Sequence, residues 1–281
     1  MTTITAPRPD TVVAPESPPA ESTGFATAAV QSARRTVLQF VRTPQLVIMG
    51  SIIGALFLFM FRYIFGGAID AGGVSYVDYL VPGFVVTAIL WIGMNAPAGV
   101  AEDAASGLHD RLRSLPIPRA AVMVGRSLAD TALTTWGMLV TAAVGVAVGF
   151  RIDASVAELL AAIALLLIAT YAFSWLFITI GLVAGGAQAS QAMATLVVVP
   201  LTFISSAYVP AASLPGWMQP IADNQPLTVI SNAVRSLTLG GTDAAGARHR
   251  TAYWVVLSLV WCAAILTVFG TLAVTRFARR R

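Results

Sequence analysis

The residues of this chain able to do chemistry are few, and their types exclude more than they offer. Its 281 residues hold two histidines, His109 and His249, and one cysteine, Cys262. Two histidines so far apart cannot build a multi-histidine metal site, and a lone cysteine cannot close an internal disulfide. All 17 basic residues are arginine. A P-loop needs a lysine on the β- and γ-phosphates, and a Schiff base needs a lysine amine, so neither can be built here. No Ser/His/Asp arrangement emerges. Energy for any work the chain performs is therefore expected from another polypeptide.

The charge that remains is concentrated. Glu102, Asp103, Asp110, Arg111, Arg113 and Arg119 lie in one loop-like stretch, which Leu115-Pro116-Ile117-Pro118 bends rigidly. Asp130 follows Arg126 by one helical turn. An i,i+4 ion pair accounts for it structurally; a functional intramembrane acid is the alternative. Arg62 can snorkel outward or meet Asp78. Uncharged polar residues also align. Gln188, Gln191, Thr195, Thr202 and Ser206 recur at helical spacing as a stripe, and Phe84, Trp91 and Asn95 share one helical face. Each set either lines a path or packs and hydrogen-bonds against neighbouring helices.

The elements that must position these residues are membrane spans. Hydrophobic residues make up 57% of the chain and charged residues 11%, with mean hydropathy +0.79; soluble domains carry about 25% charge. Six apolar segments approach or exceed the roughly 20 residues that cross a bilayer: 46–66, 80–100, 121–148, 159–184, 189–209 and 253–274. The break Gly185-Gly186-Ala187-Gln188 folds the fourth and fifth into an antiparallel hairpin. Residues 1–23, rich in Pro, Thr, Ser and Ala, read as a disordered tail without a signal peptide's basic start and short apolar core. Residues 24–43 read as an amphipathic interfacial helix, with Phe25 and Phe40 on one face and Arg34, Arg35 and Arg42 on the other. Arginines crowd the connection between the second and third spans and both ends, including the basic tail 277–281. The positive-inside rule then puts both termini in the cytoplasm of a plasma membrane, and the net charge of +4 reflects this topology, not nucleic-acid binding. Between the fifth and sixth spans, Leu214-Pro215-Gly216-Trp217-Met218 and residues 227–239 are too apolar for free solution and too short to span. They read as re-entrant or interfacial helices, the second capped by Gly240-Gly241.

The expected fold class is thus an all-α membrane protein with six transmembrane helices over 46–276. Its pattern resembles a type 2 ABC exporter permease, most of all the daunorubicin/doxorubicin-resistance type from actinobacteria. The likeness rests on Glu102-Asp103-Ala104-Ala105-Ser106-Gly107 with Arg111-Leu112-Arg113-Ser114-Leu115-Pro116-Ile117-Pro118-Arg119. An outer motif adds Val209-Pro210, Leu214 to Pro220, Asn224-Gln225-Pro226-Leu227-Thr228 and Arg235. The resemblance implies that the first cytoplasmic loop forms a coupling helix. With the interfacial helix it docks on a separate ATP-binding subunit through Arg34, Arg35, Glu102, Asp103, Asp110, Arg111, Arg113 and Arg119; a solvated loop obeying the positive-inside rule is the plainer alternative. It implies that the second and fifth spans line a path between two permease copies or homologues. Phe84, Trp91, Asn95, Gln188, Gln191, Thr195, Thr202 and Ser206 are the candidates there. Trp217 and Arg235 gate or cap the exit. No cofactor is expected on this chain, with ATP and Mg on the partner, and the cargo is a small amphiphile such as a drug, antibiotic or lipid. The rival, a secondary transporter driven by an ion gradient, would want buried acids in mid-span or paired broken helices, and neither is evident.

Overall fold

The computed structural model describes residues 54, 56–65, 74–106, 119–241 and 249–279, with isolated helical positions 27, 30, 31, 33, 34 and 38. The tail 1–23, most of the interfacial helix 24–43, much of the first apolar segment and the proposed coupling segment 107–118 lie outside the described residues. Among the described residues every regular element is helical.

Helix α1 spans Tyr76–Gly93, with Ser75 as its N-cap: the Ser75 hydroxyl accepts the Asp78 amide at 3.2 Å and donates to the Asp78 carboxylate at 2.5 Å. A turn at Met94 and Asn95 separates it from α2, Ala96–Ala105. Pro97, in the first turn of α2, has no N–H for the Gly93 carbonyl, so the break follows from covalent structure. Helix α3 covers Arg119–Ala147 and α4 covers Val156–Val183. A capping box opens α4: the Ser155 amide donates to Glu158 Oε2 at 2.8 Å while the Glu158 amide donates to Ser155 Oγ at 3.3 Å. Helix α5 is Ala187–Phe203, α6 Gln219–Asn224, α7 Pro226–Thr238 and α8 Thr251–Arg279, with one 3-10 turn at Ala211–Ser213. The basic tail expected at 277–281 therefore begins inside α8.

Two boundaries differ from the hydropathy reading. Ala187 and Gln188, read as part of the hairpin break, belong to the first turn of α5. The fifth apolar segment is helical only to Phe203, and residues 205–209 leave the helix although they stay apolar. The reason lies in the site they help to build.

Helix α4 is the hub, packing against α8, α2, α7, α3, α1 and α5. Phe173, Phe177 and Ile178 are fully enclosed there. Among the described residues three helical stretches are long and apolar enough to cross a membrane: Tyr76–Ala105, Val156–Val183 and Thr251–Phe277. Their most apolar windows are 78%, 39% and 17% buried within the chain, so α1–α2 forms the interior and α8 presents most of its surface outward. Helix α3 has 29 residues, a rise of about 43 Å at 1.5 Å per residue, but its first half carries Arg126 and Asp130. Helix α7, at 13 residues, is too short to span yet buried on nearly every side: Leu227, Val229, Ile230 and Ala233 are all inaccessible.

Helices α2 and α4 approach so closely that a Cβ on Gly181 would lie 2.6 Å from the Pro97 carbonyl oxygen and 2.7 Å from Val100 Cβ. Gly185, in the hairpin, has nothing within 4 Å of such an atom. Gly181→Val is therefore expected to cost several kcal/mol, beyond the roughly 1–3 kcal/mol of ordinary overpacking, because backbone must yield. Gly185→Ala should leave the melting temperature in detergent within about 1 °C of the parent. Equal melting temperatures for the two variants would show that the α2–α4 contact is looser than described.

Candidate functional site

At one end of the bundle Arg235, on α7, is completely buried, and its partners among the described residues are all neutral. Nε donates to the Tyr79 carbonyl at 2.8 Å and Nη1 to Asn232 Oδ1 at 3.0 Å. Nη2 donates to the carbonyls of Ser206 at 2.9 Å and Ala207 at 2.7 Å. The guanidinium carbon also lies 3.7 Å from the centroid of the Tyr79 ring, a cation–π contact on a desolvated charge. A buried charge is tolerable only when its donors are met, and they are met here by the Asn232 side chain, a carbonyl within α1 and two carbonyls beyond the end of α5. This explains why α5 stops at Phe203: continued helix would consume the oxygens that Arg235 needs.

Tyrosines from α1 share the same unwound segment. The Tyr79 hydroxyl donates to the Ser206 carbonyl at 2.7 Å and the Tyr76 hydroxyl to the Tyr208 carbonyl at 3.1 Å. Tyr208 in turn donates to Thr87 Oγ1 at 3.0 Å, and the Ser206 amide donates to Thr228 Oγ1 at 2.9 Å. Only glycine fits at position 83, where a Cβ would overlap the Ala207 carbonyl and lie 2.6 Å from Arg235 Nη2. Trp217 and Arg235, expected together as an outer gate or cap, thus have different surroundings: Trp217 is 73% exposed, whereas Arg235 ties α1, α7 and the end of α5 into one piece.

The residues expected along a path also divide. Phe84 is buried in the core, its ring 5.6 Å from that of Tyr208, because α1 is enclosed on nearly every side. Thr202 and Ser206 are buried as well, and neither hydroxyl has a protein partner. Trp91, Asn95, Gln188 and Thr195 are exposed and Gln191 is half-buried. The Thr195 hydroxyl donates to the Gln191 carbonyl at 2.9 Å and Asn95 Nδ2 to the Ile92 carbonyl at 3.1 Å. The stripe is continuous in sequence, but only its Gln188–Thr195 part opens to the surface.

The charged end presents a second buried guanidinium. Arg126, on α3, donates through Nε to Asp130 Oδ1 at 3.2 Å and Oδ2 at 3.0 Å, and through Nη1 to Asp103 Oδ2 at 2.9 Å. The i,i+4 pair read from spacing therefore forms, and it is joined by an acid from α2. Glu102 and Arg34 are exposed. Arg119 opens α3, and Arg35, Asp110, Arg111 and Arg113 lie outside the described residues. Arg62 lies over the ring of Tyr63, its guanidinium carbon 5.7 Å from the centroid. Asp78 is engaged by Ser75 and by the Arg151 amide at 3.2 Å.

Residues 27–239 match the model of the family described as ABC-2 type transporter. The chain belongs to that family. The permease is 28% identical over 248 residues to a daunorubicin resistance ABC transporter permease protein of Streptomyces coeruleorubidus, covering 88% of its own length and 84% of that relative's. It is also 27% identical over 218 residues to probable doxorubicin resistance ABC transporter permease proteins from two strains of Mycobacterium tuberculosis, covering 74% of this chain and 75% of theirs.

For such a permease, a transmembrane subunit of an ABC exporter, the two buried arginines sit at opposite ends of one span. Tyr79 lies in the first turn of α1, and Asp103 near the end of α2. Sequence reasoning placed Arg235 without its partners and missed Tyr76, Tyr79 and Tyr208 altogether. Their signal was the pair of tyrosines at i,i+3 inside an apolar run, whose buried hydroxyls must find acceptors.

Replacing Arg235 by Met leaves the Ala207 carbonyl unpaired and removes the bridge between three elements. A loss on the order of 3 kcal/mol is expected, read as a fall in melting temperature of the purified permease. Arg235→Lys should recover little of it, because one ammonium cannot reproduce the planar fork. Full stability in the Lys variant would show that charge alone suffices.

Proposed function

We propose that this permease crosses a bacterial plasma membrane six times with both termini in the cytoplasm. It pairs with a second copy or a homologous permease and exports a small amphiphilic compound. Two separate ATP-binding subunits, carrying ATP and Mg, drive the switch between inward- and outward-facing arrangements. The observation that carries this reading is the family match over residues 27–239. The names of the relatives, daunorubicin and doxorubicin resistance permeases, favour an amphiphilic drug-like cargo over polysaccharide or glycolipid. The absence of lysine from the whole chain supports a motor on another polypeptide.

Within this scheme the path runs along the exposed part of the polar stripe, Gln188, Gln191 and Thr195, together with Trp91 and Asn95 beside the α1–α2 break. Phe84, Thr202 and Ser206 act from behind it, shaping the wall without meeting cargo. The docking surface comprises Arg34, Arg35, Glu102, Asp110, Arg111, Arg113 and Arg119, where a rigid, charged lever continuous with two spans can carry a nucleotide-driven movement into the membrane. Asp103 contributes from beneath, through Arg126.

The deciding experiment is reconstitution with an ABC ATP-binding subunit that co-purifies with this chain. Vanadate-sensitive uptake of an anthracycline into inverted proteoliposomes is expected. Uptake that ignores vanadate but collapses with a protonophore would replace this reading with a secondary transporter. Substituting Gln191→Leu and Thr195→Val together should lower transport about thirtyfold, as for two hydrogen bonds of roughly 1 kcal/mol each, with assembly unchanged. Charge reversal by Arg111→Glu and Arg113→Glu should instead abolish co-purification of the ATP-binding subunit while the permease keeps its melting temperature. Unchanged co-purification would remove the loop from the docking surface.

A further inference from the structure

Arg235 and Arg126 have protein acceptors; Arg62 does not. Its Nε is buried with no hydrogen-bond partner. Its charge-directed contact among the described residues is the face of the Tyr63 ring, 5.7 Å from the guanidinium carbon to the centroid. Asp78, the acid expected to meet it, is engaged instead by Ser75 and by the Arg151 amide. A desolvated guanidinium edge without an acceptor is costly, so the chain leaves a place for an acceptor from outside it.

Arg62 and Tyr63 line a cleft of about 450 Å³ together with Ser75, Tyr76 and Val77, a volume in the range of pockets that take small molecules. The Tyr76 hydroxyl is committed to the Tyr208 carbonyl, so Tyr76 adds a ring wall. The first-turn amides of Tyr76 and Val77 have no acceptor within α1. Depth indicates where the missing acceptor comes from. Tyr76 opens a stretch long and apolar enough to cross a membrane, which sets the cleft at the level of lipid phosphates. The helical residues 56–65 that carry Arg62 face two ways. Leu58 is enclosed and the Phe61 ring lies 5.2 Å from that of Tyr208, which seats this stretch on the bundle. Leu56, Phe59 and Tyr63 are 65%, 52% and 66% exposed, with the rings of the last two 5.1 Å apart. These three form an apolar stripe that leads from the cleft back along the first apolar segment.

We propose that this cleft is a phospholipid site: Arg62 holds the headgroup phosphodiester, and one acyl chain lies along Tyr63, Phe59 and Leu56. The planar guanidinium fork matches two phosphate oxygens, and the stripe gives the chain apolar cover that a free phosphate ion could not use. The bound lipid bridges the first apolar segment to the first turn of α1, beside the tyrosines that hold the Arg235 site. It is a structural ligand, not cargo. The inference needs a chain resident in a membrane and depends on neither the ATP-binding partner nor the exported compound. A second copy laid on the stripe is the competing occupant and would exclude lipid from it.

The test titrates the delipidated permease, in phosphate-free detergent, with three probes: phosphatidylglycerol, a diacyl galactolipid that has the chains without phosphate, and inorganic phosphate. Binding is read by native mass spectrometry and by melting temperature. Phosphatidylglycerol should bind about tenfold more tightly than the galactolipid, as for one charge-assisted contact, and should raise the melting temperature. Arg62→Gln should erase that preference. Phe59→Ser should weaken both lipids and keep the preference. No preference in the parent, or a preference that survives in folded Arg62→Gln, overturns the proposal. Inorganic phosphate that reproduces the full thermal shift replaces the lipid with a soluble anion and overturns it too. Where Arg62→Gln fails to fold, photoreactive phosphatidylglycerol decides in the parent permease in nanodiscs. Labelling should concentrate on residues 56–63. Labelling spread evenly over all the spans marks an unspecific lipid shell, and its absence from 56–63 marks a stripe covered by a second copy; either overturns the proposal.

Discussion

A guanidinium cannot be buried without its donors being met, and one end of this fold is organised around that condition at Arg235. Moving an unpaired charge out of water costs several kcal/mol even after relaxation. Here no carboxylate repays it; carbonyls and a tyrosine ring do. Two of these carbonyls, Ser206 and Ala207, come from the stretch after α5 has ended, where residues 205–209 pass against α1, and the third, Tyr79, from within α1. The approach then demands a missing side chain at Gly83. One residue thereby dictates a helix terminus, a crossing point and a glycine, each on a different segment.

The opposite end solves the same problem with different chemistry. Arg126 lies between two carboxylates and one carbonyl, so its environment is ionic where that of Arg235 is neutral. The first grip is dipolar and distributed over backbone; the second depends on side-chain charges that a partner's field can reach. A span held in these two ways has one end tied to the enclosed helix α7 and the other tied to α3. Hub helix α4 packs against both α1 and α2, which keeps the pair aligned without fusing them.

Legibility in the sequence followed distance along the chain. The Arg126–Asp130 pair was readable because i,i+4 neighbours on a helix must meet; Asp103, 23 positions from Arg126, was not. Residues 227–239 announced themselves as too apolar for solvent and too short to span, and a helix occupies that stretch; its enclosure by α1, α4 and α8 had no local signature. Of Phe84, Trp91 and Asn95, expected on one helical face, the first two lie on α1 and Asn95 falls in the turn after it; Phe84 is buried and the other two are exposed. Which faces were core could not be read, because α1 is apolar all round and hydropathy then carries no direction. The early end of α5 was invisible for a related reason: residues 205–209 stay apolar while their carbonyls serve a side chain far away in sequence. Among the described residues the second, fourth and sixth expected spans coincide with helices long and apolar enough to cross a membrane; in α3, Arg126 and Asp130 dilute that signal.

The order of the partners around Arg235 bears on how the protein enters its membrane. Tyr79, Ser206 and Ala207 all precede Arg235 in the chain. An unpaired arginine in lipid is costly to insert, by up to about 2.5–3.5 kcal/mol at the bilayer centre and less toward its edge, and α7 alone, with its short apolar length, has little to set against this. During synthesis, however, α1 and α5 leave the ribosome first, and their acceptors stand ready when α7 arrives. Insertion of α7 is then a docking step onto protein already in place, and the direction of translation itself spares the nascent chain an unpaired charge in lipid.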